Sequence, residues 1–260
     1  MIVRALVVSA TTSARRTLAQ PGGVAVTLFF YLAVVAVLST LWRTAAAAND
    51  GLVAGYSAVA LTWYVATTEA ATVSLDTRLI ESTGEDIASG SIAVELLRPA
   101  SVLAVRVAIE VGRGLPRLGA CAAIGVIYSS FVAGPAPGGL ALLLAAPSLV
   151  LAIACNLVAQ HAFAAVSFWV RDARATWFLY QKLVFIVGGM LLPLEVLPDA
   201  LRQVALVLPF MAMAYAPARL ASGHLEPHLL VVQLAWLVGL GALAAVTFAR
   251  GERRLQVAGG

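Results

Sequence analysis

Apolar positions in this chain fall in long unbroken runs rather than in alternation. Residues 17–42, 51–68, 118–170 and 229–249 contain no Asp, Glu, Lys or Arg. A helix of about 20 apolar residues, at about 1.5 Å per residue, crosses a hydrocarbon core of about 30 Å. The runs predict six spans, at 22–42, 52–75, 112–133, 138–170, 175–192 and 229–249, with a break in the long fourth near Pro147. Pro135 and Pro137, among Gly134, Gly138 and Gly139, predict a tight turn between the third and fourth. Segment 193–227 is apolar but holds Pro193, Pro198, Pro209 and Pro217 with Glu195, Asp199, Arg202 and Arg219. A straight crossing helix accommodates neither the prolines nor the charges. It is read as a re-entrant or interfacial extracellular hairpin between spans five and six, packed against the other spans because irregular backbone at membrane depth needs protein or water around it. The predicted fold is an all-α polytopic membrane protein, a single domain over 1–260.

Composition agrees, with 61% hydrophobic residues and a mean hydropathy of +0.93. The charge adds orientation. Arg43, Arg202 and Arg219 fall on one side of the predicted bilayer, and the other fourteen of the 17 basic residues fall on the opposite side. The positive-inside rule then places both termini in the cytoplasm, and one Lys against sixteen Arg with heavy use of Ala points to a GC-rich bacterial genome and so to a bacterial inner membrane. The net charge of +4 reflects this topology and not nucleic-acid binding. Arg4, Arg15 and Arg16 interrupt the first 21 residues, so no cleaved leader is expected. Cys121 and Cys155 lie in apolar runs, which argues against both disulfides and a metal site.

Two segments outside the spans are informative. In residues 1–20, Val3, Leu6, Val7, Ala10, Ala14 and Leu18 recur at helical spacing, opposite Arg4, Arg15 and Arg16. This predicts an interfacial amphipathic helix, against the plainer reading of a basic tail that holds topology. The cytoplasmic loop 76–117 carries Ser82–Glu85 and Thr83–Asp86 at capping-box spacing, Ser91 as a second cap and Pro99 as a stop. Two short helices hinged at Gly90 follow. Ile87, Ile92, Leu96 and Leu97 are apolar knobs on them, to be buried against the bundle's inner face or against a soluble partner. Arg106 and Glu110 share a four-residue step with Arg113 and Arg117 nearby, which predicts an interfacial helix leading into the third span with ion pairs at helical spacing.

Glu69 lies in the inner half of span two, where a carboxylate lines a cavity, holds a proton or makes a structural hydrogen bond. His161 in span four reads as a packing partner. Phosphate-binding loops of the Gly-Lys-Ser/Thr type, His-Glu-x-x-His and Gly-x-Ser-x-Gly are all lacking, which favours a conduit over a catalyst.

One stretch resembles a known family. Gly188-Gly189, Pro193-Leu194-Glu195-Val196-Leu197-Pro198, Leu208-Pro209-Phe210, Ala218-Arg219 and Gly223 resemble the region between the last two spans of ABC type-2 exporter permeases. Residues 86–99 look like the first intracellular loop of that family, and Ser167-Phe168-Trp169 resembles its bacterial six-span branch. The resemblance covers essentially the whole chain. It implies a permease subunit that pairs with a second copy or a paralogue, sits in membrane lipid and couples to separate cytoplasmic ABC ATPase subunits. ATP and Mg would be bound by those ATPases, with no cofactor on this chain. The resemblance assigns Glu85, Asp86, Ile87, Ile92, Leu96, Leu97 and Arg98 to the ATPase contact. It places Trp63, Tyr64, Glu69, Phe185 and Met190 along the transport path, and Pro193, Pro198 and Pro209 in an external gate. The mostly small or apolar path residues favour an amphipathic or hydrophobic cargo such as a drug, lipid or peptide. The competing readings are a proton-coupled secondary transporter using Glu69, an intramembrane enzyme using Glu69 and His161, and a scaffold that transports nothing.

Overall fold

The computed structural model describes residues 2–76, 78–96, 101–170 and 172–258. Among these residues the chain forms helices and one short hairpin. The order is α1 (Ile2–Leu18), α2 (Pro21–Ala47), β1 (Leu52–Val53), β2 (Tyr56–Ser57), α3 (Ala58–Val73), α4 (Leu79–Ala88), α5 (Ile92–Leu96), α6 (Val102–Val132) and α7 (Gly139–Ala164). Then come α8 (Ala173–Lys182), α9 (Asp199–Val207), α10 (Tyr215–Ala221) and α11 (His228–Ala258). Four stretches are long and apolar enough to cross a membrane: Pro21–Ala47, Val102–Val132, Gly139–Phe168 and His228–Arg254. The chain is an all-α membrane protein.

The other two expected spans are shorter helices. Residues 52–57 do not continue α3 but turn back as an antiparallel pair, Leu52 against Ser57 and Val53 against Tyr56. Ala54 and Gly55 both take positive φ, 49° and 85°, as a two-residue hairpin turn of the I′ kind requires. Ser57 then caps α3 by accepting the Ala60 N–H. In α8, the Asp172 carboxylate accepts the Arg174 and Ala175 N–H groups. The helix passes into a π-helical turn, Leu183–Val187, and ends at Gly188, followed by Gly189 at φ 72°. One further expectation is corrected: α7 runs unbroken through Pro147. The helix expected to lead into the third span is present and continuous with it, as α6 begins at Val102.

α3 is the centre of the bundle, buried along nearly its whole length and packed against α2, α6 and α10. Polar side chains close the seams. Tyr31 on α2 donates to the Ala66 carbonyl at 2.9 Å. Gln233 on α11 donates to the Ser148 and Ala212 carbonyls at 3.0 and 2.8 Å, and Ser148 Oγ donates to Gln233 Oε1 at 2.8 Å. Such bonds satisfy groups that have no water to turn to.

α1 lies along α6. Its inward side holds Leu6, Ala10, Ser13, Ala14 and Thr17, while Val3, Val7 and Leu18 of the expected apolar stripe face outward. Small residues win the inner face because the backbones meet closely: a Cβ on Gly112 would collide with the Ala10 backbone.

Candidate functional site: the α4–α5 element and the two ends of the bundle

At one end of the bundle α4 and α5 meet at Gly90, which takes φ 76°, so the expected hinge is present. The expected caps are not. α4 starts at Leu79, which leaves Ser82 and Thr83 inside the helix, and the Ser82 hydroxyl donates to the Leu79 carbonyl. The Ser91 hydroxyl donates back to Asp86 instead of capping α5.

Ile87 and Ile92 are buried in one cluster with Val102, Ala165, Phe168 and Phe248, so the chain's own bundle covers both knobs. That removes Ile87 and Ile92 from any exposed docking face. The outward face of the element carries Ser82, Glu85, Ala88, Ser89, Ala93 and Val94, with Val94 67% exposed. Asp86 is half-buried. Leu96 closes α5, whereas Leu97 and Arg98 lie outside the described residues. Behind α4, Gly84 sits so close to Ala173 and Ser167 that no Cβ would fit, which seats the element on the start of α8.

One side chain holds the two short helices together. The Arg106 guanidinium, on the first turns of α6, is only 14% exposed. It donates to Asp86 Oδ2 at 2.6 Å, to Glu95 at 2.9 and 3.0 Å, and to Thr83 Oγ1 at 3.1 Å. A fixed planar fork suits this many acceptors, as a lysine would not. Of the ion pairs expected along this helix, Glu110 forms one with Arg113 at 2.6 Å, while Arg106 reaches back to partners on α4 and α5 instead of Glu110.

At the opposite end a second polar cluster ties the β1–β2 hairpin to the 193–227 segment. Arg219 on α10 donates to the Tyr56 hydroxyl at 2.6 Å, pairs with Glu195 at 3.1 Å and bonds Glu226 at 3.0 and 3.1 Å. The Tyr56 and Tyr215 hydroxyls donate to the two oxygens of Glu195, at 3.0 and 2.7 Å. Burial, then Glu195, raises the pKa of Tyr215, and the same two causes raise that of Tyr56, so both phenols stay neutral donors. Pro193, Pro198 and Pro209 open the helical turns of this segment, where a missing N–H costs nothing. α10 is buried against α3 and α7.

Of the expected path residues, Trp63 and Phe185 line cavities, and each a different one. Trp63 lines a cavity of about 160 Å³ with Tyr31, Thr67 and Gly125, and its indole N–H donates to the Gly134 carbonyl. Phe185 lines a separate cleft of about 80 Å³ between α3, α7 and α8. Tyr64 donates to the Gly189 carbonyl, and Met190 accepts from Thr72. Glu69 is 2% exposed, with Oε1 unpaired among the described residues, and it does not line either cavity. His161 is buried beside the Leu157 carbonyl, far in sequence from Glu69 and with no bond to it.

A sequence profile of ABC-2 family transporter proteins matches residues 33–259. The chain belongs to the ABC-2 transporter family. No curated protein matches the sequence significantly. ABC-2 permeases generally work with ABC ATPase partners, and the family points to a transport subunit rather than an enzyme. It lends nothing to the proton-coupled alternative. Within this ABC-2 chain, sequence reasoning missed Arg106 as the hub of the α4–α5 element and Val94 as its exposed apolar tip. Arg106 left a trace, since it and Arg98 are the two arginines among the acids at 86, 95 and 110. The Tyr56–Arg219 contact left none, because its members are 163 residues apart.

Proposed function

We propose that the chain is the transmembrane permease subunit of an ATP-driven exporter, with six crossings, both termini cytoplasmic and the 193–227 segment re-entrant from the outside. α3 and α8 with its π-helical turn serve as the second and fifth crossings. The α4–α5 element docks on a separate ABC ATPase, and two permeases, alike or paralogous, share the complex. The cargo is amphipathic or hydrophobic.

The single observation carrying this reading is the α4–α5 element. Its inner face is buried on the bundle and its acids are clamped by Arg106 at the start of a crossing helix, while Glu85, Ser89 and Val94 are presented outward. A partner pushing on that face moves α6 with it. Movement of the outer segment then depends on the Arg219 cluster, a firmer candidate for an external gate than the prolines alone.

The test is co-purification with the ABC ATPase encoded beside the permease. The wild type is expected to retain the ATPase, and a Glu85→Lys/Val94→Asp double variant, altered only at exposed positions, to lose it. A folded wild-type permease that associates with no ABC ATPase would overturn the exporter reading.

A further inference from the structure

The cleft between α3, α7 and α8 is small, amphipathic and built. Its floor is two amides, Asn156 and Gln160, each 5% exposed. Asn156 Oδ1 accepts from both Tyr180 Oη, at 2.7 Å, and Gln160 Nε2, at 2.8 Å. Those two bonds orient the amides and leave Asn156 Nδ2 and Gln160 Oε1 without a partner among the described residues. Both amide residues line the cleft. A polar group with an unused acceptor in so confined a place favours a ligand that donates to it. Trp177 and Phe185 supply aromatic wall, and among the described residues Asp76 is the only charged residue of the lining. Asp76 Oδ1 accepts from the Arg78 N–H, which leaves Oδ2 without a donor among the described residues.

We propose that this cleft is a binding site for the head of an amphipathic organic cation, a guanidinium or primary ammonium attached to an apolar body. The head donates to Gln160 Oε1 and pairs with Asp76, and the Trp177 ring stabilises the charge, since the Phe185 ring already faces the Lys182 ammonium at 5.7 Å. An anion finds a carboxylate at the mouth and no cationic group in the lining. The volume, about 80 Å³, takes the head and part of a ring, and the body extends through the open mouth. Two faces of the cleft come from α3 and α8, so the site names a cargo class for the exporter reading and rests on it for the word cargo, though not for binding.

The test uses the full chain in nanodiscs, with benzylguanidinium as probe and phenylacetate as its anionic counterpart, read by ligand-observed NMR. Benzylguanidinium is expected to bind saturably and phenylacetate not to compete. Asp76→Asn keeps the acceptor for the Arg78 N–H and should weaken binding about tenfold, the effect of about 1.4 kcal/mol. Asp76→Lys should abolish it. No saturable binding to wild type, equal binding to Asp76→Lys, or competition by phenylacetate would each overturn the site. Binding is measured without the ATPase. Loss of ATPase association with binding intact would therefore sink the exporter reading alone, and the reverse result would sink the site alone.

Discussion

Replacing Arg106 by methionine keeps an unbranched apolar stem and removes the charge and every donor. Asp86 and Glu95 then face each other with no cation between them, and Thr83 Oγ1 loses its donor. The two carboxylates are 41% and 37% exposed, so water screens part of the loss. Fully exposed pairs contribute up to about 1 kcal/mol and breaking a buried one costs about 3–5 kcal/mol, so this half-buried fork falls near 2 kcal/mol. That energy is local, because Ile87 and Ile92 still hold the element by their buried side. The expected result is therefore faster opening of α4 and α5 by about thirtyfold, with little change elsewhere. Hydrogen exchange followed by mass spectrometry reads this directly, comparing peptides from 79–96 with peptides from α7 and α11. Exchange in 79–96 within about threefold of wild type would refute the clamp. So would acceleration of all helices alike, which would mean global loosening.

Two other perturbations test the packing and the outer cluster. A Cβ on Gly125 would collide with the Tyr31 hydroxyl, so Gly125→Ala should destabilise by about 1–3 kcal/mol; Tyr31→Phe alone should cost about 1 kcal/mol through the lost bond to Ala66. The double variant should be less harmed than the sum, and strictly additive melting shifts would show that the two do not touch. His224, stacked against Tyr56 with ring centroids 5.0 Å apart, has its pKa lowered by burial and then by Arg219. A lowered histidine contributes stability that is present above its unfolded pKa of about 6.5 and lost as pH falls through that value. Wild type should thus lose more thermal stability than His224→Gln between pH 7.5 and 5.5, and parallel losses would remove His224 from the account.

The sequence shows the long helices most clearly. α7 lies wholly within a run free of charge, α2 and α11 do so over most of their length and α6 over its second half, because burial in lipid forbids charge over a length set by the bilayer. It misleads where apolar residues serve a different geometry. Leu52 and Val53 read as the start of a span by hydropathy, and only the Ala54–Gly55 step hints at the turn that folds them back. Helical spacing paired Arg106 with Glu110, but its partners approach from α4 and α5, and i,i+4 reasoning sees nothing outside one helix. Ile87 and Ile92 show the same limit. Their apolar character was legible, and the surface that buries them, including Phe248 on α11, is assembled by the fold. The α1 face rotated for a related reason, keeping Leu6, Ala10 and Ala14 inward: close helix approach selects Ala10 opposite Gly112 over the bulkier valines.

α3 has 16 residues, and α8 with its π-helical turn runs from Ala173 to Val187. At about 1.5 Å per residue each is about 22–24 Å long, against about 30 Å of hydrocarbon. On the proposed topology both stop short of the outer boundary, and the missing thickness is filled by the hairpin at Tyr56, the 193–227 segment and the ion pairs of Arg219. α3 is covered by the bundle, so on that topology the lipid-facing belt is thin at α8. A thicker bilayer strains that place before any other, because charged side chains must either tilt the bundle or pull lipid inward to stay wet. Membrane thickness thus acts on the Arg219 contacts as a mechanical load.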